Sequence, residues 1–116
     1  MHIKLKVKTT SGEAVFEFKD VSQVLVGRSN AQILLDDERC SRAHCLLTEA
    51  TDGELRVRDL DSSNGTYFQS KKIKEATLKE GDKIRIGKTT ISIVSFGKSA
   101  RSSSADRTGK TNTDLS

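Results

Sequence analysis

Ile3-Lys4-Leu5-Lys6-Val7-Lys8 alternates one apolar residue with one lysine over six positions. Successive side chains of an extended chain point to opposite faces, so this stretch has one dry face and one wet face. The same period recurs downstream. Ala14, Phe16 and Phe18 alternate with Val15 and Glu17, and Leu55 and Val57 with Glu54, Arg56 and Arg58. Ile84 and Ile86 alternate with Lys83 and Arg85, and Ile91 and Ile93 with Thr90 and Ser92. Val24-x-Val26 and Ile33-x-Leu35 are shorter runs of the same kind. Turn residues separate them: Ser11-Gly12, Thr51-Asp52-Gly53, Ser63-Asn64-Gly65, Lys79-Glu80-Gly81-Asp82 and Gly87-Lys88. Short alternating strands with closely spaced turns predict an all-β protein, a sandwich or a barrel. Asp36–Leu47 resists this reading, because Cys40, Ala43 and Leu47 sit at helical spacing. Periodicity there fits a short helix or a loop followed by a strand.

The chain has 116 residues, enough for one domain. Its composition changes after Phe96, and Leu115 is the only large apolar residue of the last 20. Residues 1–96 are therefore expected to fold, and 97–116 to form a flexible polar tail or linker. No apolar run approaches the roughly 20 residues of a membrane helix, and the N-terminus lacks the apolar stretch of a secretory signal. With two cysteines there is no disulfide framework, and a reducing, cytoplasmic location is expected.

The net charge of +4 is divided evenly: residues 1–96 carry 16 basic and 14 acidic residues, and the tail four and two. A nearly balanced body argues against a specific nucleic-acid binder. Proline is absent, and the aromatic residues are Phe16, Phe18, Tyr67, Phe68 and Phe96, too few for a stacking platform for single strands. Weak nucleic-acid binding through Lys4, Lys6, Lys8 and the basic tail is a lesser reading.

The chemically informative residues lie beside turns. Gly27-Arg28 ends one strand, Ser41-Arg42-Ala43-His44 precedes another, and Asp59-Leu60-Asp61-Ser62-Ser63-Asn64-Gly65-Thr66 follows a third. A guanidinium, hydroxyls, an amide and glycine-bearing turns suit an anion, since arginine's planar fork matches phosphate oxygens bidentately. Each residue also has a plainer role open to it. Arg28 can pair with Asp36 or Asp37, Arg42 can be a solvated charge, and Ser41, Ser63 and Asn64-Gly65 can serve only as turn residues.

Catalysis and metal binding find less support. Ser41 and His44 lack a nucleophile elbow or an identifiable oxyanion site, so no hydrolase is expected. Cys40, His44 and Cys45 match no usual zinc spacing, and buried thiols are expected instead. Gly87-Lys88-Thr89 and Gly109-Lys110-Thr111 lack the first glycine of a phosphate-binding loop. No cofactor and no metal are called for.

Taken in order, Gly27-Arg28, Ile33-Leu34-Leu35-Asp36-Asp37, Ser41-Arg42-x-His44, Asp59-Leu60-x-Ser62-x-Asn64-Gly65-Thr66 and Leu78-x-x-Gly81-Asp82-x-Ile84-x-Ile86-Gly87 resemble the forkhead-associated (FHA) domain over roughly residues 3–96. The resemblance implies a two-sheet antiparallel β-sandwich whose loops at one end bind a phosphothreonine peptide without catalysis. It implies that Arg28 clamps the phosphate, that Ser41 and Arg42 contact it, and that Ser63 and Asn64 border the phosphothreonine, with Asn64 bonding the peptide backbone. It makes Gly27, His44, Gly65 and Thr66 supports of the site. The expected partner is a threonine-phosphorylated protein acted on by a Ser/Thr kinase. That partner could be an attached domain or this chain's own tail, through Thr108, Thr111 or Thr113. A phospho-independent interaction through a sheet face or edge is the alternative. Gln69-Ser70 departs from the Asn-Gly usual in the family, removing a shorter amide and a turn glycine.

Overall fold

The computed structural model describes residues 1–50 and 53–97. Residues 98–116, with Thr108, Thr111 and Thr113, lie outside the described residues, as do Thr51 and Asp52, while Gly97, expected to open the tail, ends the last strand. The strands are β1 (His2–Thr9), β2 (Gly12–Phe18), β3 (Gln23–Gly27), β4 (Ile33–Leu34), β5 (Cys45–Glu49), β6 (Leu55–Asp59), β7 (Thr66–Phe68), β8 (Lys71–Ile73), β9 (Glu75–Leu78), β10 (Lys83–Ile86) and β11 (Thr89–Gly97). They form a six-stranded sheet in the order β2-β1-β11-β10-β7-β8 and a five-stranded sheet in the order β4-β3-β5-β6-β9. All pairings are antiparallel except that of β3 with the two-residue β4.

The alternation places the core. Ile3, Leu5 and Val7 of β1, Ile84 and Ile86 of β10, and Ile91 and Ile93 of β11 are buried on the inner face of the larger sheet. Val24 and Val26, Cys45 and Leu47, Leu55 and Val57, and Leu78 meet them from the smaller sheet. Each fully buried Val, Leu or Ile contributes about 1.5–3 kcal/mol, so these two rows, more than any polar contact, hold the sheets together. The lysines of β1 face outward, as expected.

Asp36–Leu47 contains no helix. The main chain closes a turn with the Cys40 N–H donating to the Asp37 carbonyl (2.9 Å), then enters β5 at Cys45. Ser41 and His44 are thereby held on a loop. β2 is an edge strand, so Phe16 and Phe18 stay half-buried with rings 6.4 Å apart, and Ala14 is exposed. The Gln69-Ser70 pair still makes the tight β7–β8 turn, with φ of 53° and 66°. Both residues therefore sit in the left-handed region, without the glycine that would relieve them.

Candidate functional site

The residues singled out above converge on one end of the sandwich, at the exit of β3, the loop before β5 and the loop before β7. β3 ends in the buried Gly27, where a Cβ would lie 1.9 Å from the Arg42 carbonyl oxygen. Glycine is required there because the loop carrying Ser41 and Arg42 passes directly against the main chain. One residue on, the Arg28 N–H donates to the carbonyls of both Ser41 and Arg42 (3.1 Å each), and the Ser29 N–H to that of Arg42 (3.4 Å). Arg28 and Arg42 are exposed. Neither guanidinium has an ion-pair partner among the described residues, so Arg28 does not spend its charge on Asp36 or Asp37.

His44 is fully buried beneath this arrangement. Its Nδ1 accepts the Ser41 N–H (3.0 Å), which leaves the proton on Nε2 to be donated to the Gly65 carbonyl (3.0 Å). One imidazole thus joins the loop before β5 to the loop before β7, and its ring orientation follows from the two bonds. Above it, the Ser63 N–H donates to Ser41 Oγ (3.0 Å), leaving the hydroxyl proton of Ser41 free to point outward. The Asn64 side-chain NH₂ donates to the Arg39 carbonyl (3.0 Å), which leaves its Oδ1 as an acceptor. Ser63 itself joins through its main chain.

Asp59 holds the second loop in shape. Its carboxylate accepts from the Ser62 hydroxyl (2.6 Å), the Ser62 N–H (3.0 Å) and the hydroxyl of the buried Thr66 (2.7 Å). Burial opposes ionisation of Asp59, but the bonds from Ser62 and Thr66 together outweigh it and hold the carboxyl below the usual range. Asp37 plays the same part on the other side. It accepts from the N–H groups of Arg39 and Lys88 (2.9 Å each) and from the Thr89 hydroxyl (3.0 Å), and these bonds overcome burial to depress its pKa as well. A depressed carboxyl stabilises the fold above its unfolded pKa near 4, and that stabilisation is lost as pH falls through the lower folded value. Denaturant unfolding should therefore show a steep loss of stability below about pH 4. Asp59→Asn should be less stable at pH 7 and lose less on acidification.

Asp59, Ser62, Asp37 and Arg39 were not singled out as site residues. The Asp59-x-x-Ser62 spacing is a turn signal that could have marked the first pair. Arg39 acts through its carbonyl and leaves no such trace.

Cys40 and Cys45 are free and buried, as expected. Burial, with nearby carboxylates adding to it, pushes their thiols up to about 11 and about 12. Both stay protonated at neutral pH, which leaves them poor nucleophiles. Among the described residues no cluster of three or more His, Cys, Asp or Glu side chains stands where it could hold a metal ion, and no helix is long and apolar enough to cross a membrane.

The FHA domain model matches residues 24–87, which include the exit of β3 and the loops before β5 and β7 that build this rim. The chain belongs to the FHA domain family. Its FHA fold superposes with a TM-score of 0.71 and 26% identity, over 84% of this chain and all of the other, on a domain from a structural and functional analysis of phosphothreonine-dependent FHA domain interactions. EmbR of Mycobacterium tuberculosis, solved with a low-affinity phosphopeptide, gives a TM-score of 0.67 at 26% identity, covering 78% of this chain and 24% of EmbR. In sequence the chain is 36% identical over 75 residues to the glycogen accumulation regulator GarA of Mycolicibacterium smegmatis, covering 65% of this chain and 47% of GarA. The chain thus spans about half the length of that relative. FHA domains are interaction modules rather than enzymes.

Proposed function

We propose that this FHA domain is a non-catalytic reader of phosphothreonine in a partner protein, serving phosphorylation-dependent assembly in the cytoplasm downstream of a Ser/Thr kinase. The observation that carries the reading is Arg28: an exposed guanidinium with no ion-pair partner among the described residues, its main chain fastened to the loop bearing Ser41. Arg28 grips the phosphate as a fork, the Ser41 hydroxyl donates to a second oxygen, and Arg42 adds charge beside it. Asn64 Oδ1 accepts a backbone N–H of the peptide, while Ser63 borders the modified side chain. Gly27, His44, Gly65 and Thr66 keep these groups in register. The related EmbR structure with a phosphopeptide supports the same class of ligand.

Calorimetry with one peptide in three forms tests the reading. The phosphothreonine form should bind, and the unmodified form should not. The phosphoserine form lacks one methyl, worth about 0.8 kcal/mol if buried, so threonine preference beyond about fourfold requires a shaped methyl pocket. Affinity should also fall as pH drops through about 6, where the phosphate loses its second charge. Equal affinity for modified and plain peptide would select a phospho-independent interaction instead.

A further inference from the structure

The strand register assembles a basic surface that the rim does not use. Lys8 stands opposite Thr90, Thr90 opposite Arg85, Arg85 opposite Tyr67, and Tyr67 opposite Lys72. A second row runs Lys6, Ser92, Lys83, and Lys4 lies beyond it on β1. All six cations project from the outer face of the larger sheet, and all but the half-buried Lys4 are exposed. Thr90 and Ser92 are small, so the lysines of β1 and the cations of β10 flank a shallow strip about 10 Å across, two strand spacings wide.

Two carboxylates share the face, both on the edge strand: Glu13 opposite Lys8 and Glu17 opposite Lys4. Glu17 is also engaged by His2 Nε2 at 2.8 Å. Six cations against two carboxylates leave +4 on this face. Residues 1–96, with 16 basic and 14 acidic, total +2, so the rest of the body carries −2. The charge is segregated.

The basic face also reaches the rim. The aliphatic stem of Lys72 lies across Gly65, where a Cβ would come within 2.7 Å of Lys72 Cε, and Gly65 follows Asn64. One strand over, the Arg85 guanidinium sits 4.8 Å from the Tyr67 ring centroid and donates from Nη1 to the Gly87 carbonyl (3.1 Å).

We infer that this face holds an acidic segment of the same partner whose phosphothreonine occupies the rim; the inference rests on the phosphothreonine reading. Alternate side chains of an extended polypeptide recur every ~6.6–6.8 Å, which is also the spacing of Lys4, Lys6 and Lys8 along β1. A single-stranded nucleic acid would need a free aromatic face, and the Tyr67 ring is covered by Arg85. Exposed pairs are individually weak and screened by salt, so the segment acts as an addition to the phosphate anchor.

Fluorescence anisotropy at low salt tests this with a short phosphothreonine peptide and two longer versions, extended by about eight residues, enough to cross the face at ~3.3 Å each. One extension alternates Glu with Ser and the other alternates Gly with Ser, each placed before or after the phosphothreonine. The acidic extension, in one of the two directions, should tighten binding by about tenfold, and the gain should disappear near 1 M salt. In the Lys6→Gln/Lys83→Gln/Arg85→Gln variant the gain should be absent while the short peptide binds as before. Equal binding of acidic and neutral extensions, or a gain that survives in the variant, would overturn the inference and leave the phosphothreonine reading standing. Failure of the short peptide to bind the parent would defeat both. Duplex DNA or phosphatidylserine vesicles that bind the parent but not the variant, while the acidic extension adds nothing, would reassign the face and overturn the inference.

Discussion

Arg28→Ala should reduce phosphothreonine-peptide affinity by at least a hundredfold while leaving the unfolding free energy within about 0.5 kcal/mol of the parent. The guanidinium is exposed and supports nothing in the fold through an ion pair among the described residues. The part of residue 28 that the structure uses is its N–H, shared between the Ser41 and Arg42 carbonyls, and alanine keeps it. Hydrogen bonds to a charged group contribute about 1.5–3 kcal/mol each, so losing a two-pronged contact removes about 3–6 kcal/mol of binding. Arg28→Lys should fall between, retaining the charge but not the fork. Titration calorimetry and a denaturant melt on the same samples decide the matter. An alanine variant that binds like the parent would show that the phosphate sits elsewhere.

His44→Ala should cost about 3–5 kcal/mol of stability and abolish binding, although His44 itself touches no ligand. The imidazole is fully buried, and its loss leaves the Ser41 N–H and the Gly65 carbonyl without their partner, over a cavity. Each buried polar group left unsatisfied costs about 1–3 kcal/mol. His44→Phe restores most of the volume without the bonds, so it should recover part of the stability and none of the affinity. If the phenylalanine variant binds normally, the two loops do not depend on the imidazole for their relative position.

The strands that could be read from the chain are those whose apolar residues recur at every second position: β1, β2, β6, β10 and β11, with the shorter runs of β3 and β4. β7 and β8 have three residues each, too few to display a period, and β9 offers only Ala76 and Leu78, of which alanine is a weak strand signal. Asp36–Leu47 looked ambiguous because a loop leading into a buried strand can mimic helical spacing by accident. At the rim, Arg28, Ser41 and Asn64 were legible because each presents a distinctive side chain within a recognisable block. Arg39 and Lys72 contribute by a carbonyl and an aliphatic stem, and the identity of a residue says little about such use. The Gln69-Ser70 turn shows the converse, a geometry retained against local preference because its strands already pair.

The rim loops are tied to one another by hydrogen bonds from the Arg28 N–H to the Ser41 carbonyl, from the Ser63 N–H to Ser41 Oγ, and from the Asn64 side-chain NH₂ to the Arg39 carbonyl. On the proposed function, a phosphopeptide arriving there meets loops already fastened to one another, so less of its attraction is dissipated in immobilising the receptor. In such a reader, preorganisation would separate grip from taste: outward-facing side chains around the rim could drift toward new partners while the hold on the modified residue stayed as it was.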